Sequence, residues 1–122
     1  MTRTLFEEAA VHADVRDKIA NYKADLVGEV RHAVDSDDVV VVGMAQNPHV
    51  KKVRARLHDR SIPFTYLEYG SYLAGYRRRL ALKMWTGWPT FPMVFIKGTF
   101  IGGDADLERL ARSGELTKLL EA

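Results

Sequence analysis

The sequence predicts an α/β sandwich in which a four-stranded mixed sheet carries helices on both faces, preceded by a helical extension. Three observations carry that expectation. Val39 to Val42 is an unbroken β-branched run, the pattern of a central strand buried on both faces. Phe64 to Glu68 forms a second strand, and the basic helix expected from Pro48 to Arg60 between the two makes them parallel with a right-handed crossover. Met93 to Ile96 and Thr99 to Ile101 flank Lys97-Gly98 as a hairpin.

The remaining elements follow in order. Thr4 and Glu7 have capping-box spacing. Val15, Ile19, Tyr22, Leu26, Val30 and Ala33 then recur every three or four residues, which predicts one or two amphipathic helices ending near Val34. Asp35 to Asp38 breaks the pattern before the first strand. After a loop around Gly70, a helix is expected from Leu73 to Trp85, another from Asp104 to Arg112, and a short terminal one from Glu115. Trp85 and Phe95 read as core.

The chain has 122 residues, 47% of them hydrophobic, enough for one domain with its own core. Its 18 basic and 16 acidic residues leave a formal charge of +2, too small to imply nucleic acid by itself. No run approaches the length of a membrane helix, and Met1-Thr2-Arg3-Thr4 leads into an acidic stretch rather than an apolar signal core, so a cytoplasmic protein is expected. There is no cysteine, which removes disulfides, thiolate metal sites and thiol catalysis together. His12, His32 and His58 lack metal-ligand spacing, and no metal site is expected.

Several blocks occur in one order from about Asp37 to Leu120. They are Val39 to Val42, Lys51-Lys52-Val53, Ile62-Pro63-Phe64, Trp88-Pro89-Thr90-Phe91-Pro92, Val94-Phe95-Ile96, Ile101-Gly102-Gly103 and Ser113-Gly114-Glu115-Leu116. Together they resemble the glutaredoxin family, and the resemblance implies a thioredoxin-like fold. It also sets an expected division, residues 1–19 as the extension and 20–122 as the glutaredoxin-like domain. The extension either packs on the domain or pairs with another copy as a homodimer. The Trp-Pro-Thr-Phe-Pro block is like the single-cysteine branch of the family. The segment before Asn47 lacks that branch's insertion and is like the two-cysteine branch.

In glutaredoxins the turn after the first strand carries Cys-Pro-Tyr-Cys or a single-cysteine equivalent at a helix start, where free N–H groups and the dipole stabilise a thiolate. Here the turn reads Asn47-Pro48-His49-Val50. A carboxamide is a poor nucleophile, so Asn47 does not perform thiol–disulfide exchange. Asn47 is instead expected to cap the helix, with Pro48 at its first position and Val50 buried. His49 stands where the family has an aromatic residue, available to an anion at the helix start or to proton transfer.

The resemblance further implies parts of a glutathione groove. Phe91-Pro92 corresponds to the cis step whose backbone pairs with the ligand's cysteine residue, and Arg79 to the residue that binds its glycine carboxylate. Gly103 belongs to the segment that meets the γ-glutamyl end. The family's lysine before the nucleophile is Met44 here, and its γ-glutamyl aspartate corresponds to Ala105, with Asp104 and Asp106 as flanking substitutes. Glutathione is therefore expected to bind more weakly than in a family member with both anchors. No iron–sulfur cluster or other cofactor is expected without a thiolate.

Three functions fit these residues. The first is a binding module without redox activity, whose groove, rimmed by Trp88, Phe91, Tyr72 and Tyr76, takes glutathione, a thiol peptide or a partner-protein segment. The second is an enzyme that uses the thiol of bound glutathione as its reagent. The third and weakest is a phosphate or nucleic-acid surface made by Arg77, Arg78 and Arg79 with Lys51, Lys52 and Arg54; consecutive helical arginines diverge and do not form one stripe.

Overall fold

The structure, a computed structural model, describes residues 3–122; Met1 and Thr2 of the expected N-terminal lead lie outside the described residues. The strands are β1 (Val39–Gly43), β2 (Thr65–Glu68), β3 (Met93–Ile96) and β4 (Thr99–Gly102), in the order β2-β1-β3-β4. β1 runs parallel to β2 with Val40 opposite Thr65, and antiparallel to β3 with Val40 opposite Phe95. β3 and β4 form the expected hairpin, with a register shift between Val94 and Phe95. The helices are α1 (Ala13–Asn21), α2 (Ala24–Ser36), α3 (Pro48–Asp59), α4 (Tyr76–Thr86), α5 (Asp104–Ser113) and α6 (Glu115–Glu121).

Successive side chains of a strand point to opposite faces, and the valine run of β1 divides the core accordingly. Val40 and Val42 join Val30, Val34, Leu82, Met93 and Phe95 beneath α2 and α4. Val39 and Val41 join Val53, Leu57, Val94, Ile96, Leu107 and Leu116 beneath α3, α5 and α6. Phe95 is buried as expected and Trp85 packs against its cluster, the two rings 5.9 Å apart. The predicted sandwich of a mixed sheet flanked by helices is the one observed.

The N-terminal portion is helical but starts differently from expectation. Thr4 and Glu7 form no capping box: Glu7 precedes a single 3-10 turn, Glu8–Ala10, without a side-chain cap bond. α1 begins after His12, whose Nδ1 accepts from the Asp14 N–H at 3.2 Å. The break between α1 and α2 falls at Lys23, which takes a left-handed φ of 50°. α1 buries none of its residues, so its apolar positions lack the partner that helix periodicity implies. Among the described residues, no helix is long and apolar enough to cross a membrane.

The other departure is at α4, which starts at Tyr76 rather than Leu73. Gly70 and Gly75 both have positive φ, and a Cβ on either would come within 2.9 Å of the other's Cα. The loop between them closes on itself in a way only glycine permits, delaying the helix by three residues relative to the periodicity.

Candidate functional site

A cavity of about 510 Å³ lies where the N-terminus of α3, the loop before α4, the Phe91–Pro92 step and the start of α5 converge. Asn47, His49, Arg79, Phe91, Pro92, Gly103, Asp104 and Asp106 all line it, so the tertiary fold gathers at one cavity the eight residues that the resemblance assigns to a ligand. Trp88 and Tyr72 line it as well, whereas Tyr76 does not.

Asn47 is the cap of α3. Its Oδ1 accepts from the backbone N–H of His49 at 2.9 Å and of Val50 at 3.2 Å, with Pro48 at the first turn. The residue is only 8% exposed, and its Nδ2 donates across the groove to the carbonyl of Phe91 at 3.5 Å. Phe91–Pro92 is cis, so this one carboxamide ties the helix start to the cis step. Val50 is buried as expected, and Met44, in the lysine position, is buried in the same cluster as Phe91 and lines the cavity with an apolar side chain.

Arg79 is turned inward, while Arg77 and Arg78 of the same run are exposed. It is 8% exposed and its Nη1 donates to the carbonyls of Tyr69 at 3.2 Å and Ala74 at 2.9 Å, bracing the loop that holds Gly70 and Gly75. Among the described residues no carboxylate pairs with it, and these two bonds use one of its three nitrogens. Trp88 presents a second unmatched donor. Its Nε1 is buried without any hydrogen-bond partner among the described residues, and a Cβ on Gly103 would stand 3.8 Å from it. Buried N–H groups are nearly always paired, and an indole N–H has no other way to be satisfied.

The acidic residues of α5 are already engaged. Asp106 Oδ2 accepts from the N–H of Gly103 at 3.0 Å, capping α5, and its Oδ1 from Arg109 at 3.1 Å. Asp104 Oδ1 accepts from Arg56 Nε at 3.0 Å and its Oδ2 faces His49 Nδ1 at 3.2 Å. No Asp or Glu lies within nine residues of His49 in the sequence; the partner comes from α5. The only sequence signal was that Asp104 sits in the segment that the resemblance brings to the groove.

No cluster of residues able to hold a metal ion occurs among the described residues. Of the cations assigned to a phosphate surface, Arg79 of α4 is buried against the loop carbonyls and Arg54 lies over the Tyr66 ring, 4.0 Å from its centroid. The hydroxyl of Tyr66 donates to Glu68 at 2.9 Å; burial, then that hydrogen bond, pushes its pKa from 10.0 to about 12.

The family model described as Glutaredoxin matches residues 39–101. A glutaredoxin-like protein of Dictyostelium discoideum is 46% identical over 103 residues, covering 84% of each chain. Among solved structures, wheat glutaredoxin superimposes with a TM-score of 0.70 at 31% identity, over 80% of this chain and 91% of that one. A buckwheat glutaredoxin–glutathione complex gives 0.72 at 26% identity, over 80% and 89%. With the match spanning about half the chain and the cis step, capped helix and sheet order in place, this cysteine-free chain belongs to the glutaredoxin family.

Proposed function

We propose that the protein is a binding module whose groove takes glutathione or a related thiol peptide without redox turnover of its own. One observation carries this reading: the Arg79 guanidinium, with two of its three nitrogens unbonded within the described chain, lines the same cavity as the cis Phe91–Pro92 step, beside the Trp88 ring whose buried Nε1 has no partner there. An anionic peptide end suits the Arg79 guanidinium, which is planar and receives a carboxylate bidentately. The cis Phe91–Pro92 step offers peptide backbone alongside. That a buckwheat relative has been solved with glutathione supports the ligand class.

Without cysteine the chain forms no mixed disulfide, and the family's reductase chemistry has no nucleophile in it. Nor does the reading include an iron–sulfur cluster, whose ligation needs a thiolate from the chain. Ala105 and Met44 leave the γ-glutamyl end with weaker anchoring than the family pattern provides, so affinity is expected to be modest.

Titration with reduced and oxidised glutathione, following the backbone amides from Met44 to His49 and of Phe91, tests the proposal. Saturable shifts at those amides and at the Trp88 indole are expected. Their absence at millimolar ligand would reject it. In the mixed-disulfide reduction assay, turnover should equal the glutathione background.

A further inference from the structure

In a glutaredoxin the helix-start N–H groups stabilise a thiolate; in this chain Asn47 Oδ1 already occupies the N–H groups of His49 and Val50. A thiol entering the groove therefore finds that source of anion stabilisation closed. What the same turn offers instead is an imidazole. The His49 side chain is 61% exposed, at the edge of the cavity, and its Nδ1 lies 3.2 Å from Asp104 Oδ2. Asp104 itself is 12% exposed, its other oxygen held at 3.0 Å by Arg56 Nε, and Arg56 Nη2 is held in turn by Glu108 at 3.3 Å. The carboxylate is thus fixed in place. A carboxylate facing Nδ1 selects the tautomer with the proton there and leaves the Nε2 lone pair free to accept another.

We propose that His49, oriented by Asp104, is the base that takes the proton of a thiol ligand in this groove, so that the protein binds the thiolate. This rests on the proposed thiol-peptide function and specifies its chemistry. In the step the S–H bond breaks, the proton moves to Nε2, and the electron pair stays on sulfur; nothing is oxidised or reduced. The product is a thiolate–imidazolium pair, and Asp104 balances the charge on the ring. The other charged groups lining the cavity are Arg79 and Lys83, which favour the thiolate, and Asp106, whose charge is met by Arg109. Arg56 weakens Asp104 as a counter-charge but keeps it from swinging away.

Because the chain has no cysteine, ultraviolet thiolate absorbance in the complex reports the ligand alone. The probes are reduced glutathione and S-methylglutathione, the latter also serving as the spectral reference that cancels tyrosine. Wild type is expected to bind reduced glutathione about tenfold more tightly than S-methylglutathione at neutral pH, with bound thiolate appearing about 2.5 pH units below the free thiol. In His49→Gln that preference should fall to about unity and the thiolate band should vanish, while circular dichroism remains that of the folded protein. Asp104→Asn, which keeps an acceptor but no charge, should lose most of the band. A thiolate band of equal size in His49→Gln, or bound reduced glutathione that stays protonated in wild type, overturns the proposal and leaves the groove reading standing. If neither ligand binds wild type, the groove reading fails and this proposal with it.

Discussion

On one side of the groove, the N–H groups of His49 and Val50 end on Asn47 Oδ1 and the Asn47 amide ends on Phe91; on the other, the Arg79 guanidinium and Trp88 indole hold donors that the described chain does not fill. The first wall closes on itself, and so the helix start is stable without the sulfur its relatives place there. The second keeps donors that the proposed ligand would meet. Losing the nucleophile and losing the groove are therefore separable events, because different elements build them. The buried Trp88 N–H without a partner costs stability in the free protein.

Removing Arg79 tests the second wall and should have the largest effect. Arg79→Met leaves the carbonyls of Tyr69 and Ala74 without their charged donor, and a loss of about 2 kcal/mol in urea unfolding is expected. Glutathione affinity should fall more than tenfold in calorimetry. Retained affinity would show that Arg79 only braces the loop.

The first wall should respond in stability alone. Asn47→Leu unpairs two N–H groups of α3 and should cost about 1 kcal/mol, whereas Asn47→Ser keeps a capping oxygen and should cost less than half of that. Equal losses in the two variants would mean that the contact to Phe91, not the cap, carries the energy. Asn47→Cys should restore little reductase activity, since Met44 and Ala105 remain; family-like rates would show a more complete groove than these residues suggest.

Gly103→Ala probes the cavity between the walls. Its Cβ would stand 3.3 Å from the Pro92 carbonyl and 3.8 Å from Trp88 Nε1, at a backbone conformation open to any residue. Ligand affinity should drop several-fold, with a stability loss of about 1 kcal/mol from the tight contact to the Pro92 carbonyl. An unchanged affinity would move the ligand away from Trp88.

The smallest effect is expected outside both walls and calibrates them. The folded-state pKa of Tyr66 is raised from 10.0 to about 12, so its contribution is full below pH 10 and disappears as pH rises through that window, where the unfolded chain releases the proton first. Tyr69, raised by burial and by its bond to Glu29, adds a loss of the same sign further into alkali. Tyr66→Phe should flatten the stability profile between pH 10 and about 12 and leave glutathione binding unaltered. An unchanged profile would assign the alkaline loss to Tyr69.

What the sequence determined by itself was local. The valine run of β1, the Asn-Pro cap of α3 and the Lys97-Gly98 hairpin each follow from the backbone preferences of a few neighbouring residues, and they formed where expected. Local rules misplaced two starts. The Thr4–Glu7 spacing had no helix to cap, and α4 waited for a glycine loop whose shape depends on the buried Arg79 guanidinium. The content of the site was decided by tertiary structure, because its bonds join residues far apart in the chain: Asn47 with Phe91, Arg56 with Asp104, His49 with Asp104. No periodicity encodes such pairs. They exist because β1 and β3 are adjacent in the sheet while α3 and α5 cover the same face, and that packing turns an isolated histidine into one with an aspartate and a cavity.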